Sequence, residues 1–354
     1  MPDVLYVCLQ DEDKIAVFAI DAESGRLTKL AETETAGGPS VLAISPDRKM
    51  LHVGHRRQPA ISSFRIDPAT GGLTRLGAAS VDDAPTFLAP DRSGRYLLAA
   101  YYQGGYAAVY PLSTEGSVGE TPVDKQETAV GAHAIATDPS NHFAFVPHIA
   151  RIQDNVLEPP KGIAGPNVIM QFRFDAQTGR LTPNSPFQLE QAALVGPRHY
   201  IHHPNLDVVY FSNEQGCSVT AYRLNRATGT LSASQTESTL PAGHTERTTC
   251  SQIHLTPSGR FLYVGNRAPN SSSIAAFAVD ASSGLLTAVG QVPTEPVPNA
   301  FCLDPVGRFL FAAGAASGRL ASYRINAETG ALAPVATEAI GQRPAAVMAL
   351  QPSG

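Results

Sequence analysis

The chain has 354 residues, enough to bury a large core, but only 16% of them are charged and the net charge is −5, which argues against a broad nucleic-acid or anionic-membrane surface. Cys8, Cys217, Cys250 and Cys302 show no CxxC spacing and read as reduced thiols of a cytosolic protein. The start, MPDVLYVCLQDEDK, lacks the basic region of a signal peptide, and no apolar run approaches the roughly 20 residues of a membrane helix, so the expected location is the cytoplasm.

Taken in order, the chain repeats one unit. A turn signature occurs at Ser24-Gly25, Thr70-Gly71, Glu115-Gly116 (a weaker copy), Thr178-Gly179, Thr228-Gly229, Ser283-Gly284 and Thr329-Gly330, with 46, 45, 63, 50, 55 and 46 residues between successive glycines. Alternating strands precede these turns, as in Ile15–Ile20, Ile61–Ile66 and Leu320–Ile325. The DxxTG runs lack the remaining ligands of a calcium loop and are better explained as glycine turns. A second signature, Pro-x-Gly-Arg or a variant of it, precedes a strand pair, as at Pro257–Arg260 and Pro305–Arg308.

Four short strands per repeat with almost no helical periodicity predict an all-β fold, a β-propeller of seven blades forming one domain over residues 1–354. The chain begins mid-unit at Leu5–Cys8, and the missing innermost strand is available at Ala345–Leu350, so the C-terminus should close the first blade. The long fourth spacing comes from the Pro/Gly-rich stretch Ile149–Pro166, expected as a loop over one end of the ring, in a lid or rim role or as an ordinary surface insertion.

The stretch Gly196–Glu214 reads as a hairpin turning at Pro204–Asp207. Its paired residues should sum to about 412, which brings Arg198 and Glu214 together at its open end. The same count through every repeat collects Gln10, Arg56, Tyr101, His148, Glu214, Arg267 and Ala315 at the ends of second strands. It also collects Ser40, Thr86, His133, Arg198, Ser251, Asn299 and Ala345 at the starts of innermost strands. Both sets belong to one mouth of the central channel. Wet, polar channel ends are ordinary in propellers, and that reading suits Ser40, Thr86, Ser251 and Asn299. Two arginines and a glutamate converging there instead make an anion site with a candidate base. His199 should point away from Arg198 on a regular strand, yet could reach the site from an irregular strand start. His202 and His203 face opposite sides and make a poor metal pair. No HExxH, GxSxG, P-loop or strand-following GxGxxG is present, which disfavours a serine-hydrolase mechanism.

GPRHYIHHPN (196–205), SNE (212–214), IHLTPSGRFLYVGNR (253–267), NVIMQFRFDAQTGRL (167–181) and AYYQGGYAAVYPL (100–112) together resemble the seven-bladed propeller lactonases, which include the propeller 6-phosphogluconolactonases and the related carboxy-cis,cis-muconate cyclases. The resemblance spans all seven blades. It implies a site at one channel mouth with no required metal and no cofactor, in which Arg198, Glu214 and Arg267 take the family's places, and Arg247 that of a further family arginine. It also implies that His148 matches a histidine of the cyclase-like members, where many lactonases have an aspartate-containing segment. On this reading Glu214, His148, Arg198 and Arg267 are catalytic, and Arg247, His199, His133, Tyr101 and Arg56 bind substrate. The expected partner is a small anionic lactone or dicarboxylate, with no nucleic acid and no membrane, on a monomer or homodimer. The expected reaction is lactone hydrolysis. Lactone formation by a muconate-type cyclase and a non-catalytic interaction scaffold are the alternatives.

Overall fold

The computed structural model describes residues 2–149 and 166–352. Seven four-stranded antiparallel sheets follow one another around a ring, and the only helix among the described residues is the single 3-10 turn Gln10–Glu12. None is a helix long and apolar enough to cross a membrane. Blade 1 combines Pro344–Leu350 with Asp3–Leu9, Lys14–Ile20 and Leu27–Glu34. The C-terminal strand pairs with the N-terminal one from Val4↔Leu350 to Leu9↔Pro344, so the ring is closed by backbone hydrogen bonds between the two ends of the chain. Blades 2 to 7 run from Pro39, Phe87, Ala136, Pro197, Thr249 and Pro298, each from its innermost strand outward.

The strand periodicity explains the core. Blade 1's second strand from inside, Asp3–Leu9, sends Leu5, Val7 and Leu9 into a cluster shared with blade 7, and Val4, Tyr6 and Cys8 into one shared with blade 2. Both faces are therefore apolar, and neither is covered until a neighbouring blade arrives.

The glycine turns are the sites of closest approach between blades. All seven glycines have φ between +70° and +86°. A Cβ at any of them would collide with the first residues of the neighbouring blade's second strand. The contacts are Gly25 on Phe309, Gly71 on Val4, Gly116 on Met50, Gly179 on Tyr96, Gly229 on Phe143, Gly284 on Val208 and Gly330 on Phe261. The residue four places ahead of the glycine caps the turn in six blades, as Asp21, Asp67, Asp175, Asn225, Asp280 or Asn326. Asp67 Oδ1 accepts from the Ala69 and Thr70 amides and the Thr70 hydroxyl at 2.8–2.9 Å, which is the work of a turn cap, not of a calcium ligand.

The stretch Ile149–Pro166 is outside the described residues except at its ends, so its lid or rim role is not part of the structure described.

Replacing Gly229 with alanine should therefore cost about 2–3 kcal/mol, from positive-φ strain plus overlap with the Phe143 ring. Gly77→Ala, where the added methyl meets nothing within 4 Å, should stay within about 0.5 kcal/mol of wild type. Urea titration of both variants gives the comparison.

Candidate active site

The hairpin of blade 5, Pro197–His202 with Val208–Asn213, supplies the centre of the site. Its pairs sum to 411 from Tyr200↔Phe211 to His202↔Val209 and to 410 at Pro197↔Asn213. The one-residue change marks a bulge at Arg198 and His199, which turns both side chains inward instead of alternating them. Arg198 and Glu214 do meet at the open end, as expected. Arg198 Nε donates to Glu214 Oε2 at 2.7 Å.

Blade 6 adds the second arginine. Arg267 ends the strand Phe261–Arg267, and its Nη2 lies 3.0 Å from Glu214 Oε1 and donates to the Cys250 carbonyl at 2.8 Å. Its Nη1 donates to Asn299 Oδ1 at 3.4 Å, which links blade 7 to the same cluster. Glu214 is also fixed through its backbone. Its N–H donates to the Gly196 carbonyl at 2.7 Å, and its own carbonyl accepts from the Cys250 N–H of blade 6 at 3.0 Å. The carboxylate is 3% exposed and carries one guanidinium on each oxygen. Burial and the nearby Arg267 charge pull Arg198 down to about 10, so it stays a cation at neutral pH. One buried carboxylate between two buried guanidiniums leaves a local positive charge. Arg198 Nη1 and Arg267 Nε have no hydrogen-bond acceptor.

A pair of histidines borders this cluster. His199 Nε2 and His133 Nδ1 are 3.2 Å apart, with Tyr102 edge-on to His133 and Phe87 edge-on to His199. Both are held far below the ordinary imidazole range, first by burial and then by the charge of Arg198, and are neutral. His148 is fully buried, and neither ring nitrogen has a hydrogen-bond partner. Burial lowers it to about 4. Its backbone bridges Ala132, the residue before His133, but no described hydrogen bond, ion pair or ring contact joins its side chain to Arg198, Glu214 or Arg267.

The remaining expected residues are dispersed. Tyr101 does not face the mouth. Its ring stacks on Tyr106 at 4.2 Å and its hydroxyl bonds the Tyr110 hydroxyl at 2.8 Å, inside the core between blades. The turn Tyr101-Tyr102-Gln103-Gly104 repeats Asn213-Glu214-Gln215-Gly216, so Tyr102 is the ring counterpart of Glu214 and the count through blade 3 was one residue short. That shared turn is the signal that could have identified Tyr102. Arg56 is exposed, while its neighbour Arg57 reaches the Gln10 carbonyl at 2.7 Å and Asp13 at 2.6 Å, tying blade 2 to blade 1. Arg247 is exposed on the segment entering blade 6, next to Glu246, which binds Asn270 and Ser271. Ser251 donates to the Pro298 carbonyl at 2.7 Å and Ser40 to the Gly54 carbonyl at 3.3 Å, both structural uses. Among the described residues no three His, Cys, Asp or Glu side chains are grouped to hold a metal ion.

Residues 6–349 match the family described as "Lactonase, 7-bladed beta-propeller". The chain belongs to the seven-bladed β-propeller lactonase family. A protein named 6-phosphogluconolactonase from Pectobacterium carotovorum subsp. carotovorum (strain PC1) is 34% identical over 344 residues, covering 97% of each chain. One of the same name from Yersinia pestis (strain Pestoides F) is 31% identical over 344 residues with the same coverage. The structure of a periplasmic gluconolactonase of Pseudomonas aeruginosa superimposes with a TM-score of 0.86 over all of both chains at 24% identity, and so shares the fold. In this member of the lactonase family, Arg198, Glu214 and Arg267 come from two adjacent blades and meet as a buried ion triad.

The buried histidines set an acid limit on stability. Eight of the ten histidines, His52, His55, His133, His148, His199, His202, His203 and His254, are held below their ordinary range, five of them at about 4. Above an unfolded-state value near 6.5 these groups are neutral in both states and contribute no pH dependence. As the pH falls from about 6.5 towards 4 the unfolded chain takes up protons that the native state refuses, and stability drops by up to about 1.4 kcal/mol per fully buried histidine per pH unit. Urea midpoints should fall between pH 7 and 5.5, and His254→Asn should reduce that fall measurably.

Proposed function

We propose that this protein hydrolyses a sugar lactone, with 6-phosphogluconolactone the first substrate to test, at the channel mouth formed by blades 4 to 6. The observation that carries this reading is the triad itself. A carboxylate is clamped between two guanidiniums, and each guanidinium keeps an N–H with no acceptor. Such a site is short of exactly what an anionic lactone brings, namely oxygens that accept hydrogen bonds. The names of the relatives, 6-phosphogluconolactonase, support the same substrate class.

Hydrolysis follows from the chemistry of those groups. Water adds to the ester carbonyl as Glu214 takes one of its protons. Arg198 and Arg267 stabilise the resulting oxyanion through charge-assisted hydrogen bonds. Collapse of the tetrahedral intermediate breaks the bond to the ring oxygen, which receives the proton back and leaves as a hydroxyl, giving an aldonic acid. Substrate oxygens that draw one guanidinium towards them free a lone pair of Glu214 for this role. A phosphate or carboxylate elsewhere on the substrate is assigned to Arg247, with Arg56 and Tyr102 on the rim. No step of this scheme calls for a metal ion. The neutral His133–His199 pair is placed to hold a substrate hydroxyl, since each imidazole can accept or donate.

His148 supports a second reading. A fully buried, neutral imidazole with both nitrogens unpartnered is a base or acid without an occupation in the folded protein, and the sequence resemblance sets it beside a histidine of the cyclase-like members of the family. In that case the arginines hold a muconate-type dicarboxylate and His148 moves the proton during ring closure. We place the protein in the cytoplasm, in keeping with four free, buried cysteines.

Acid release from 6-phosphogluconolactone and gluconolactone, followed with and without a chelator, decides among these. The expected result is chelator-insensitive hydrolysis that falls about 10²–10⁴-fold in Glu214→Gln and is lost in Arg198→Ala, each variant showing wild-type near-UV circular dichroism. Full activity in folded Glu214→Gln would remove Glu214 as the base. In a parallel assay, ring closure of carboxymuconate by a wild type that hydrolyses neither lactone, lost in His148→Gln, would favour the cyclase.

A further inference from the structure

One seam of the ring uses neither of the two solutions found at the other six. In blades 1, 5 and 6, two residues after the side chain that packs on the neighbouring glycine turn, stands a buried tyrosine. The hydroxyls of Tyr6, Tyr210 and Tyr263 donate to the carbonyls of Gly71, Gly284 and Gly330 at 2.8, 2.7 and 2.8 Å. Each such bond staples one blade to the next. Blades 3, 4 and 7 carry Leu98, Phe145 and Phe311 at that position, all fully buried and apolar. Blade 2 alone carries a shorter polar side chain there, His52, two residues after Met50.

Beside His52 the structure holds a cleft of about 760 Å³, within the ordinary range of small-ligand pockets. Its walls include Pro46, Met50, Ile66 and Leu112, and its rim carries Lys49 and Arg65 together with Asp47, which Ser45 and the Lys49 amide hold, and Glu115. Arg65 pairs with Glu115 at 3.2 Å, but both side chains are more than half exposed, so the arginine is readily turned to another anion. His52 itself is fully buried. Ser63 Oγ accepts the Val118 N–H at 3.2 Å and lies 3.3 Å from His52 Nδ1, so the serine proton belongs on that contact. Nδ1 is then an acceptor and Nε2 carries the ring proton, with no acceptor for it. Burial lowers His52 to about 4 and keeps it in this neutral form at physiological pH.

We propose that the seam between blades 2 and 3 is a second ligand site, which takes a small amphipathic carboxylate: one oxygen accepts from His52 Nε2, the rim cations Lys49 and Arg65 supply charge, and the apolar body lies against Met50, Ile66 and Leu112. The chemistry ranks ligands. An alcohol of the same body can accept from Nε2 but gains nothing from the rim cations. A protonated amine has no lone pair to accept from Nε2, so it loses the contact that anchors the carboxylate. The site is separate from the Arg–Glu–Arg triad. Arg56, the blade 2 counterpart of Glu214, is four residues further along the same strand, about 13 Å away at the usual strand rise.

The test is calorimetric and NMR titration of the full chain with octanoate, octanol and octylamine, following the ring signals of His52. Octanoate should bind saturably and shift them, with octylamine weaker by about tenfold or more. His52→Tyr installs the tyrosine of blades 1, 5 and 6, with a hydroxyl placed for the Gly116 carbonyl. It should abolish octanoate binding, raise Tm by about 2 °C or more and leave lactone hydrolysis unchanged. If His52→Tyr does not fold, His52→Leu removes the donor while leaving space, and should weaken octanoate about tenfold. No saturable octanoate binding at millimolar concentration, or equal binding by wild type and the folded His52 variant, overturns the proposal.

Discussion

A blade whose second and third strands are apolar on both faces cannot be finished by itself, and ring closure is the constraint on which everything else in this structure depends. The seven glycine turns are the points at which closure is most exacting. At Gly229 and Phe143, or Gly330 and Phe261, one blade's backbone lies against an aromatic ring of the next, a spacing no Cβ would allow. Closure of the two chain ends by pairing Val4 with Leu350 through Leu9 with Pro344 converts this series of neighbour contacts into one cooperative unit.

The channel mouth with the Arg–Glu–Arg triad inherits its precision from that closure. Glu214 is positioned by backbone hydrogen bonds to its own hairpin and to blade 6, and its carboxylate by arginines from blades 5 and 6. Each blade contributes a side chain from a rigid strand end, so the triad's geometry does not rest on a long loop. The bulge at Arg198 and His199 is the local departure from regular pairing that lets consecutive residues both face inward.

Most of the fold, and the centre of the site, could be read from the chain before any coordinates, because both depend on local and repeated signals. Glycine turns, prolines and alternation recur seven times, so each copy checks the others, and Arg198, Glu214 and Arg267 sit where repeat counting puts them. What was not legible depends on single-residue register. Tyr101 and Tyr102 are both aromatic and adjacent, and a one-residue slip exchanges a core side chain for one at the mouth. A bulge leaves no compositional mark, so the inward turn of His199 was open. Whether His148 touches the triad depends on side-chain direction at a strand end beside a long insertion, where no periodicity helps. Arg57, which links blades 1 and 2, was overshadowed by Arg56 because the two differ only in which way the strand end turns.

The energetics of the triad argue against a purely structural role. Burying two guanidiniums and a carboxylate carries a desolvation penalty of several kcal/mol per ion, which mutual attraction roughly offsets at best, and apolar side chains of similar volume would hold the blades together as well or better. The ring shows that it has that option: elsewhere, Phe301 packs fully buried at the seam between blades 6 and 7. The triad also fails to satisfy itself, since Arg198 Nη1 and Arg267 Nε lack acceptors. A structural ion cluster selected for stability would pair those donors, because an unsatisfied buried N–H costs about 1–3 kcal/mol. An arrangement that is costly to bury and still short of acceptors is better understood as a receptor for oxygen-rich anions than as a brace between blades.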